Sequence, residues 1–323
     1  MKAIVYTQYG SLDVLQLMDI PKPELKEDQV LIKVHAASIN ALDYRRFEGL
    51  SFMGRLMEER MLKSVGKALG ADIAGIVDAV GASVKQFQPG DEVFGTAAGS
   101  RGGFAEFACS SENSLTLKPR NLSFEAAAAV PVAGITALQG LRGQIQPGQK
   151  VLIQGAGGGV GTFAVQVAKS FGAEVTAVCS SRNLEMARSI GADHVIDYAN
   201  EDFTRGSQRY DLIFAVNGFH PLSAYQRALS PRGIYICAGG TAPQIFQAML
   251  LGPLMSRKNG KKMTSMGIAK INQKDLLCLK ELLESGKIAS VIEKSYPLSE
   301  VSTAMRYIIE GHAKGKIVVQ IST

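Results

Sequence analysis

VLIQGAGGGVG, residues 151–161, runs three aliphatic residues into a stretch with five glycines. The aliphatic run reads as a strand, the glycines as the turn that ends it, and GTFAVQVAKSFG as a helix starting near Val160. Glycines in such a turn accept positive φ and let the backbone approach a pyrophosphate, whose charge is met by N–H groups at the helix N-terminus. Measured against GxGxxG, the window 156–161 has Ala156 first and then Gly158, Gly159, Val160 and Gly161, with both later glycines in place. Alone the motif is weak. A strand before it, a helix after it and a second strand, EVTAVC, from Glu174 make it a dinucleotide-binding signature.

The rhythm continues outward from this turn. EVTAVC is followed by the helix NLEMARSIG, the strands HVIDY and YDLIFAV, the helix LSAYQRALS and the strand GIYICAG. Strands and helices alternating at these lengths imply βαβ units and a parallel sheet covered on both faces. Upstream, FEAAAAVPVAGITALQGL (124–141) is rich in helix formers and opens after Asn121 and Ser123, both suited to capping. The first third is different: KAIVYT, QVLIKVHAASI and GIVDAVG are short strand-like runs split by PKPE, QPGDEV and GSRGGF. After about Gly260 come the helix QKDLLCLKELLESG, a second amphipathic helix and a last strand, expected to return to the N-terminal β-rich part and make that domain discontinuous.

At 323 residues the chain exceeds what one core usually supports, so two domains are expected. With 46% hydrophobic and 20% charged residues it is neither disordered nor fibrous. The net charge of +6 is spread among acids, and the one dense basic cluster, Arg257 to Lys262, reads as a solvated loop, so nucleic acid is not expected as a partner. No apolar run reaches the roughly 20 residues that span a bilayer, and MKAIVYTQYG lacks the apolar core of a signal peptide. A cytoplasmic protein with no membrane partner is therefore expected. Cys109, Cys179, Cys237 and Cys278 form no CxxC pair and read as reduced thiols.

A carboxylate at the end of the second strand of such a fold would hold the adenosine ribose of NAD. Here EVTAVC ends in Cys179, Ser180, Ser181, Arg182 and Asn183. Hydroxyls and a guanidinium receive a 2′-phosphate, so the expected cofactor is NADPH. The alternative is that Ser180 and Asn183 cap the next helix.

In LGADIAGIVDAVG (69–81), PGDEVFG (89–95), GGFAEF (102–107), AAAAVPVAGITALQGL (126–141), VLIQGAGGGVG, CSSRNLEMARSIGADHVIDY (179–198) and AKGKIVVQI (313–321), the chain resembles the zinc-independent quinone oxidoreductase branch of the medium-chain dehydrogenase/reductases. That branch holds zeta-crystallin-like reductases and enone oxidoreductases. The resemblance covers essentially the whole chain. It implies an α/β fold in which a Rossmann domain is inserted into a GroES-like β-rich catalytic domain. The expected divisions are 1–122 and 258–323 for the catalytic domain and 123–257 for the NADPH-binding domain, with the cofactor in the cleft between them. By similarity Gly159, Val160 and Gly161 cradle the pyrophosphate, and Ser180, Ser181, Asn183 and Tyr198 surround the 2′-phosphate and ribose. Thr136, Ala238, Gly239, Gly315 and Lys316 lie along the nicotinamide. Tyr198 has a core position at the end of HVIDY as its alternative.

Zinc alcohol dehydrogenases, which resemble this chain in architecture, carry a ligand cysteine near Ser38 to Asn40, a GHE motif where Gly70, Ala71 and Asp72 stand, and another cysteine near Val132. This sequence has none of these, nor a structural cysteine lobe after Val93. His35, His194, His220 and His312 show no ligand spacing, so no metal is expected. The remaining chemistry is hydride transfer to an acceptor that spreads charge onto oxygen, a quinone or an α,β-unsaturated carbonyl. The resemblance places Asn40, Asp43, Tyr44 and Arg45 of SINALDYRR on the substrate side. Asn40 is assigned to orient substrate or ribose, Arg45 to contact cofactor or acceptor oxygen, and Tyr44 to donate. A structural turn is the alternative. The Met- and Leu-rich segment between Phe47 and Lys67 reads as core or lid packing, or as a pocket wall. Competing readings are an enoyl-thioester reductase and an NADPH-binding structural or sensor protein. The resemblance also implies a homodimer, joined through the edge strand near GIYICAGG.

Overall fold

Apolar residues at alternate positions, broken by Pro and Gly, fold the first third of the chain into strands. In the computed structural model, which describes residues 1–6, 11–45, 68–100, 102–240, 242–256, 260–311 and 313–321, these are β1 (Lys2–Tyr6), β2 (Leu15–Asp19), β3 (Gln29–Ser38), β4 (Asp72–Val80), β5 (Glu92–Thr96), β6 (Phe107–Ser111) and β7 (Leu115–Leu117). The short helix α1 (Ala41–Arg45) follows β3 in sequence. The apolar-wall reading of residues 47–67, and those of Arg257, Lys258 and His312, lie outside the described residues.

The helix-forming run after Asn121 is split in two. Ser123 caps α2 (Phe124–Ala128), its Oγ accepting from the Ala126 N–H at 3.2 Å. The chain then restarts at Pro131 as α3 (Pro131–Leu141), because proline suits a first helical turn and breaks a preceding one. Asn121 is not the cap: its amide donates to the Leu283 carbonyl at 3.2 Å.

From Lys150 the alternation is as read: β8 (Lys150–Gln154), α4 (Gly159–Ser170), β9 (Glu174–Cys179), α5 (Leu184–Ser189), β10 (His194–Asp197), β11 (Tyr210–Ala215), α6 (Leu222–Ala228), β12 (Leu229–Cys237), α7 (Ala242–Leu250), α8 (Gly252–Met255) and β13 (Lys262–Ser265). The strands form a parallel sheet in the order β10-β9-β8-β11-β12-β13. GIYICAGG therefore corrects the expectation of an edge: its strand lies between β11 and β13, and on that side the sheet ends at β13. Nor is the basic cluster only a loop. Lys262 opens β13, and the Lys261 Nζ donates to the Gln226 carbonyl at 2.7 Å.

The tail supplies α9 (Gln273–Glu284), β14 (Ile292–Pro297), α10 (Val301–Ile309) and β15 (Lys316–Gln320). β15 returns to β3 as an antiparallel partner, Val318 opposite Ser38 and Val319 opposite Ala37. One mixed sheet thus runs β14-β15-β3-β4-β5-β7, with β6 also paired to β3. One of its faces buries Ile4, Leu69, Phe104, Val301, Met305, Ile317 and Val319, and another cluster holds Val30, Ile32, Val34, Ile73, Val77 and Val93.

The chain divides into one unit of residues 1–132, 271–284 and 292–323 and a second of 133–270 and 285–291. The divisions fall later than 122 and 257. α2 packs on β3, β4 and β5, which keeps it with the first unit, and β13 extends the parallel sheet.

Candidate functional site

In the second unit the glycine turn is held tight against its own backbone. Gly155 has φ of 83°, and a Cβ on Gly161 would lie 2.1 Å from the Gly155 carbonyl oxygen and 2.7 Å from the Ala156 Cα. No side chain fits there. Gly158 is the N-cap of α4, so Gly159, Val160 and Gly161 occupy its first turn, where N–H groups lack helical acceptors and meet negative charge. This backbone fits a pyrophosphate. Ala238 and Gly239 follow β12 at the same carboxyl end of the sheet, half-buried, with the Ala238 N–H donating to the Ala215 carbonyl at 2.9 Å. Thr136 lies half-buried on α3.

The stretch after β9 separates into exposed and buried members. Ser181 and Arg182 are exposed and Ser180 half-buried, whereas Asn183 is buried with its Nδ2 donating to the Ser180 Oγ at 3.2 Å. A Cβ on Gly157 would lie 2.2 Å from that Nδ2, so Asn183 packs beneath the glycine turn. Neither Ser180 nor Asn183 caps a helix through its side chain. Tyr198 is 53% exposed and meets Phe219 edge to face at 6.2 Å, so it is not a core residue. Asp197 is a residue that the sequence pattern does not single out. Its Oδ2 accepts from the Ser181 hydroxyl at 2.5 Å, placing a carboxylate beside the stretch that lacks one. Burial, with Asp197 adding to it, pushes the Cys179 thiol up to about 11.

In the first unit Asn40, Asp43 and Lys316 come together with Ser38 and Asp72. The Asp72 carboxylate accepts from the Ser38 Oγ at 2.8 Å, the Asn40 Nδ2 at 2.8 Å and the Val132 N–H at 3.0 Å. Lys316 donates to the Asn40 Oδ1 at 2.7 Å and the Ile39 carbonyl at 3.1 Å, and stands 3.5 Å from Asp72. Asp43 accepts from the Asn40 N–H at 2.8 Å and so closes the turn into α1. The Lys316 and Asp72 side chains are 3% and 0% exposed. Burial drives the Asp72 carboxyl up, opposed by Lys316 and its hydrogen-bond donors, and drives the Lys316 ammonium down, opposed by Asp72 and Asp43. Gly315, at φ of 79°, turns the chain into this cluster. Tyr44 is half-buried against the unit's core and Arg45 is exposed.

The positions compared above with zinc ligands therefore converge on a carboxylate and an ammonium. The signal for Asp72 is present in the sequence: an acid directly before the five apolar residues Ile73 to Val77 must find buried partners. Among the described residues no three His, Cys, Asp or Glu side chains gather as a metal site. His35 stacks on Phe124 at 4.5 Å, His194 pairs with Glu174 at 3.0 Å, and His220 lies 3.8 Å from Asp202. No helix among the described residues is long and apolar enough to cross a membrane.

Comparison with known proteins finds family matches in both parts of the chain. Residues 26–120 match the alcohol dehydrogenase GroES-like domain and residues 190–319 the zinc-binding dehydrogenase family. The chain is 35% identical to the chloroplastic NADPH-dependent alkenal/one oxidoreductase of Arabidopsis thaliana, over 99% of this chain and 79% of that one. It belongs to the medium-chain dehydrogenase/reductases, in their quinone oxidoreductase branch. A second Arabidopsis relative, the chloroplast envelope quinone oxidoreductase homolog, is 34% identical over 99% of this chain and 98% of its own. Among solved structures, the quinone oxidoreductase of Coxiella burnetii superposes with a TM-score of 0.87 at 31% identity, covering 100% of this chain and 99% of its own. Membership in this family accounts for the inserted parallel sheet and for the return of β15 to β3.

Proposed function

We propose that the protein is an NADPH-dependent reductase that delivers hydride to a quinone or an α,β-unsaturated carbonyl. The observation that carries this reading is the glycine turn closed against its own backbone at Gly161, in a chain related over nearly its whole length to enzymes of that name. Gly158 to Gly161 would hold the pyrophosphate, Ser180, Ser181, Arg182 and Tyr198 the adenosine end, and Thr136, Ala238 and Gly239 the nicotinamide end. NADPH, when bound, supplies the hydride. The chain supplies position and hydrogen-bond donors for the oxygen that takes up charge, from Tyr44 and Arg45 at the end of α1. Asn40, with its amide engaged by Asp72 and Lys316, fixes the turn that carries them.

The test is oxidation of NADPH and of NADH by purified protein with a quinone, a short enone and an enoyl thioester. Turnover of quinone or enone supports the reading. Turnover of the thioester alone would make it an enoyl-thioester reductase, and tight binding with no turnover would make it a binding protein.

A homodimer is part of this proposal, its contact moved to β13. That strand ends the parallel sheet, and α7 and α8, which pack on it, expose Phe246, Met249, Leu250 and Leu254 at 58 to 62%. An open strand edge beside an apolar patch suits a second copy, whose identical edge pairs antiparallel across a twofold axis. Cys109, Cys179, Cys237 and Cys278 are unbridged thiols, which supports a reducing compartment such as the cytoplasm.

A further inference from the structure

We propose that Asp197 is a specificity-determining residue for the dinucleotide, its charge beside Ser181 favouring a 2′-hydroxyl over a 2′-phosphate. The proposal rests on the dinucleotide reading above and names a residue that the pattern of the second strand does not contain. Asp197 ends β10, in register with Cys179 at the end of β9, so its carboxylate stands level with the residues that enter the adenosine side. Its Oδ2 is 2.5 Å from the Ser181 Oγ.

The direction of that hydrogen bond decides the chemistry. An ionised carboxylate has only acceptor sites, so the proton between the two oxygens is the one on Ser181. Hydrogen bonding to Ser181 and to the Ala199 N–H holds the Asp197 carboxyl below the usual carboxylate range, which keeps it ionised at neutral pH. The Ser181 oxygen then turns only lone pairs outward. A ribose 2′-hydroxyl has a proton to give to those lone pairs or to the carboxylate. A 2′-phosphate, carrying −1.5 to −2 charge at roughly pH 7, has almost none to give and meets a negative charge as well. Ser181 and Asp197 together therefore do the work of the acid missing after β9, supplied from the neighbouring strand. Exposed Arg182 supplies the opposing attraction for phosphate. The chain holds both kinds of recognition element, and Asp197 sets the balance between them.

Asp197 also closes a local turn, accepting from the Ala199 N–H at 3.0 Å and the Asn200 Nδ2 at 2.8 Å. Asp197→Asn keeps an oxygen for the Ala199 N–H, gives up the Asn200 bond and removes the charge, so it separates the charge from the main-chain contact of the turn. The readout is binding of 2′,5′-ADP and of 5′-AMP by calorimetry, on full-length protein, alongside the ratio of kcat/KM for NADPH over NADH. Asp197→Asn is expected to tighten 2′,5′-ADP about tenfold, roughly 1.4 kcal/mol, to move 5′-AMP by less than about threefold, and to raise the NADPH to NADH ratio by the same factor. Ser181→Ala, which leaves the carboxylate in place, is expected not to tighten 2′,5′-ADP. Should the first variant fail to fold, Asp197→Ser, a turn former with an acceptor for the Ala199 N–H, reads the same quantity. Unchanged or weaker binding of 2′,5′-ADP in a folded variant overturns the role of Asp197 and leaves the dinucleotide reading standing. Wild-type protein that binds neither nucleotide overturns the dinucleotide reading, and this inference with it.

Discussion

Lys316→Met removes the ammonium from the buried cluster of the first unit while keeping a side chain of similar length. Three acceptors then lose their donor or counter-charge: the Asn40 Oδ1 at 2.7 Å, the Ile39 carbonyl at 3.1 Å and the Asp72 carboxylate at 3.5 Å. Because Asp72 is fully buried, the loss belongs with broken buried ion pairs, about 3 to 5 kcal/mol, rather than with exposed pairs at about 0 to 1 kcal/mol. Far-UV circular dichroism during urea unfolding is the assay, since the chain has no Trp to report by fluorescence. The cost should depend on pH. Burial already raises the Asp72 pKa, and Lys316 is the leading influence holding it down, so in the variant the carboxyl takes a proton more readily. A raised carboxyl pKa means that the folded state binds the proton more tightly, so stability is lost as pH rises from the unfolded value toward the folded one. The deficit of Lys316→Met should therefore shrink on acidification from about pH 8 to about pH 5. Adding Asp72→Asn should recover part of it, with a coupling of about 0.5 to 3 kcal/mol. A deficit under about 1 kcal/mol, or strict additivity of the two substitutions, would refute the view that this cluster behaves as a coupled buried pair.

Two glycines of the same turn should respond in opposite ways. Gly161→Ala places a Cβ 2.1 Å from the Gly155 carbonyl and should cost about 1 to 3 kcal/mol or more in thermal unfolding. Gly158→Ala meets nothing nearer than that same oxygen at 3.9 Å, so its stability should stay within about 0.5 kcal/mol while 2′,5′-ADP binding weakens; equal effects at the two positions would contradict the cradle. For the dimer, light scattering of wild-type protein should give twice the 34.5 kDa chain mass, and Leu254→Glu combined with Phe246→Glu should give one. A wild-type monomer would remove β13 as a pairing edge.

Much of the site can be traced to particular stretches of sequence. Residues 151–161 announce their strand, turn and helix because all three are local: the aliphatic run, the glycines and the helical period lie within one continuous segment. Motifs single out Asn40, Asp43 and Lys316, yet nothing in them says that these residues share one hydrogen-bond network. β13 escapes a reading of the sequence for a plain reason. KMTS is four residues long, with three polar residues and Lys261 just before it, so it carries no apolar alternation, and the better-patterned GIYICAG reads as the edge in its place. Asp197 escapes it because the acid is expected after the second strand, while the strand beside it supplies one.

The sequence by itself determined the alternation of strands and helices, the glycine turn and the β-rich character of the first third, since these follow from steric and hydrophobic periodicities over a few residues. Only the tertiary structure decided which strand is the edge, that β15 lies against β3, that Lys316 sits 3.5 Å from Asp72 across 244 positions of chain, and that Asp197 takes the proton of Ser181. The physical reason is common to all four. Hydrogen-bond and charge partners are set by strand order and register, and these minimise the free energy of the whole fold, leaving no periodic trace in either partner's own segment.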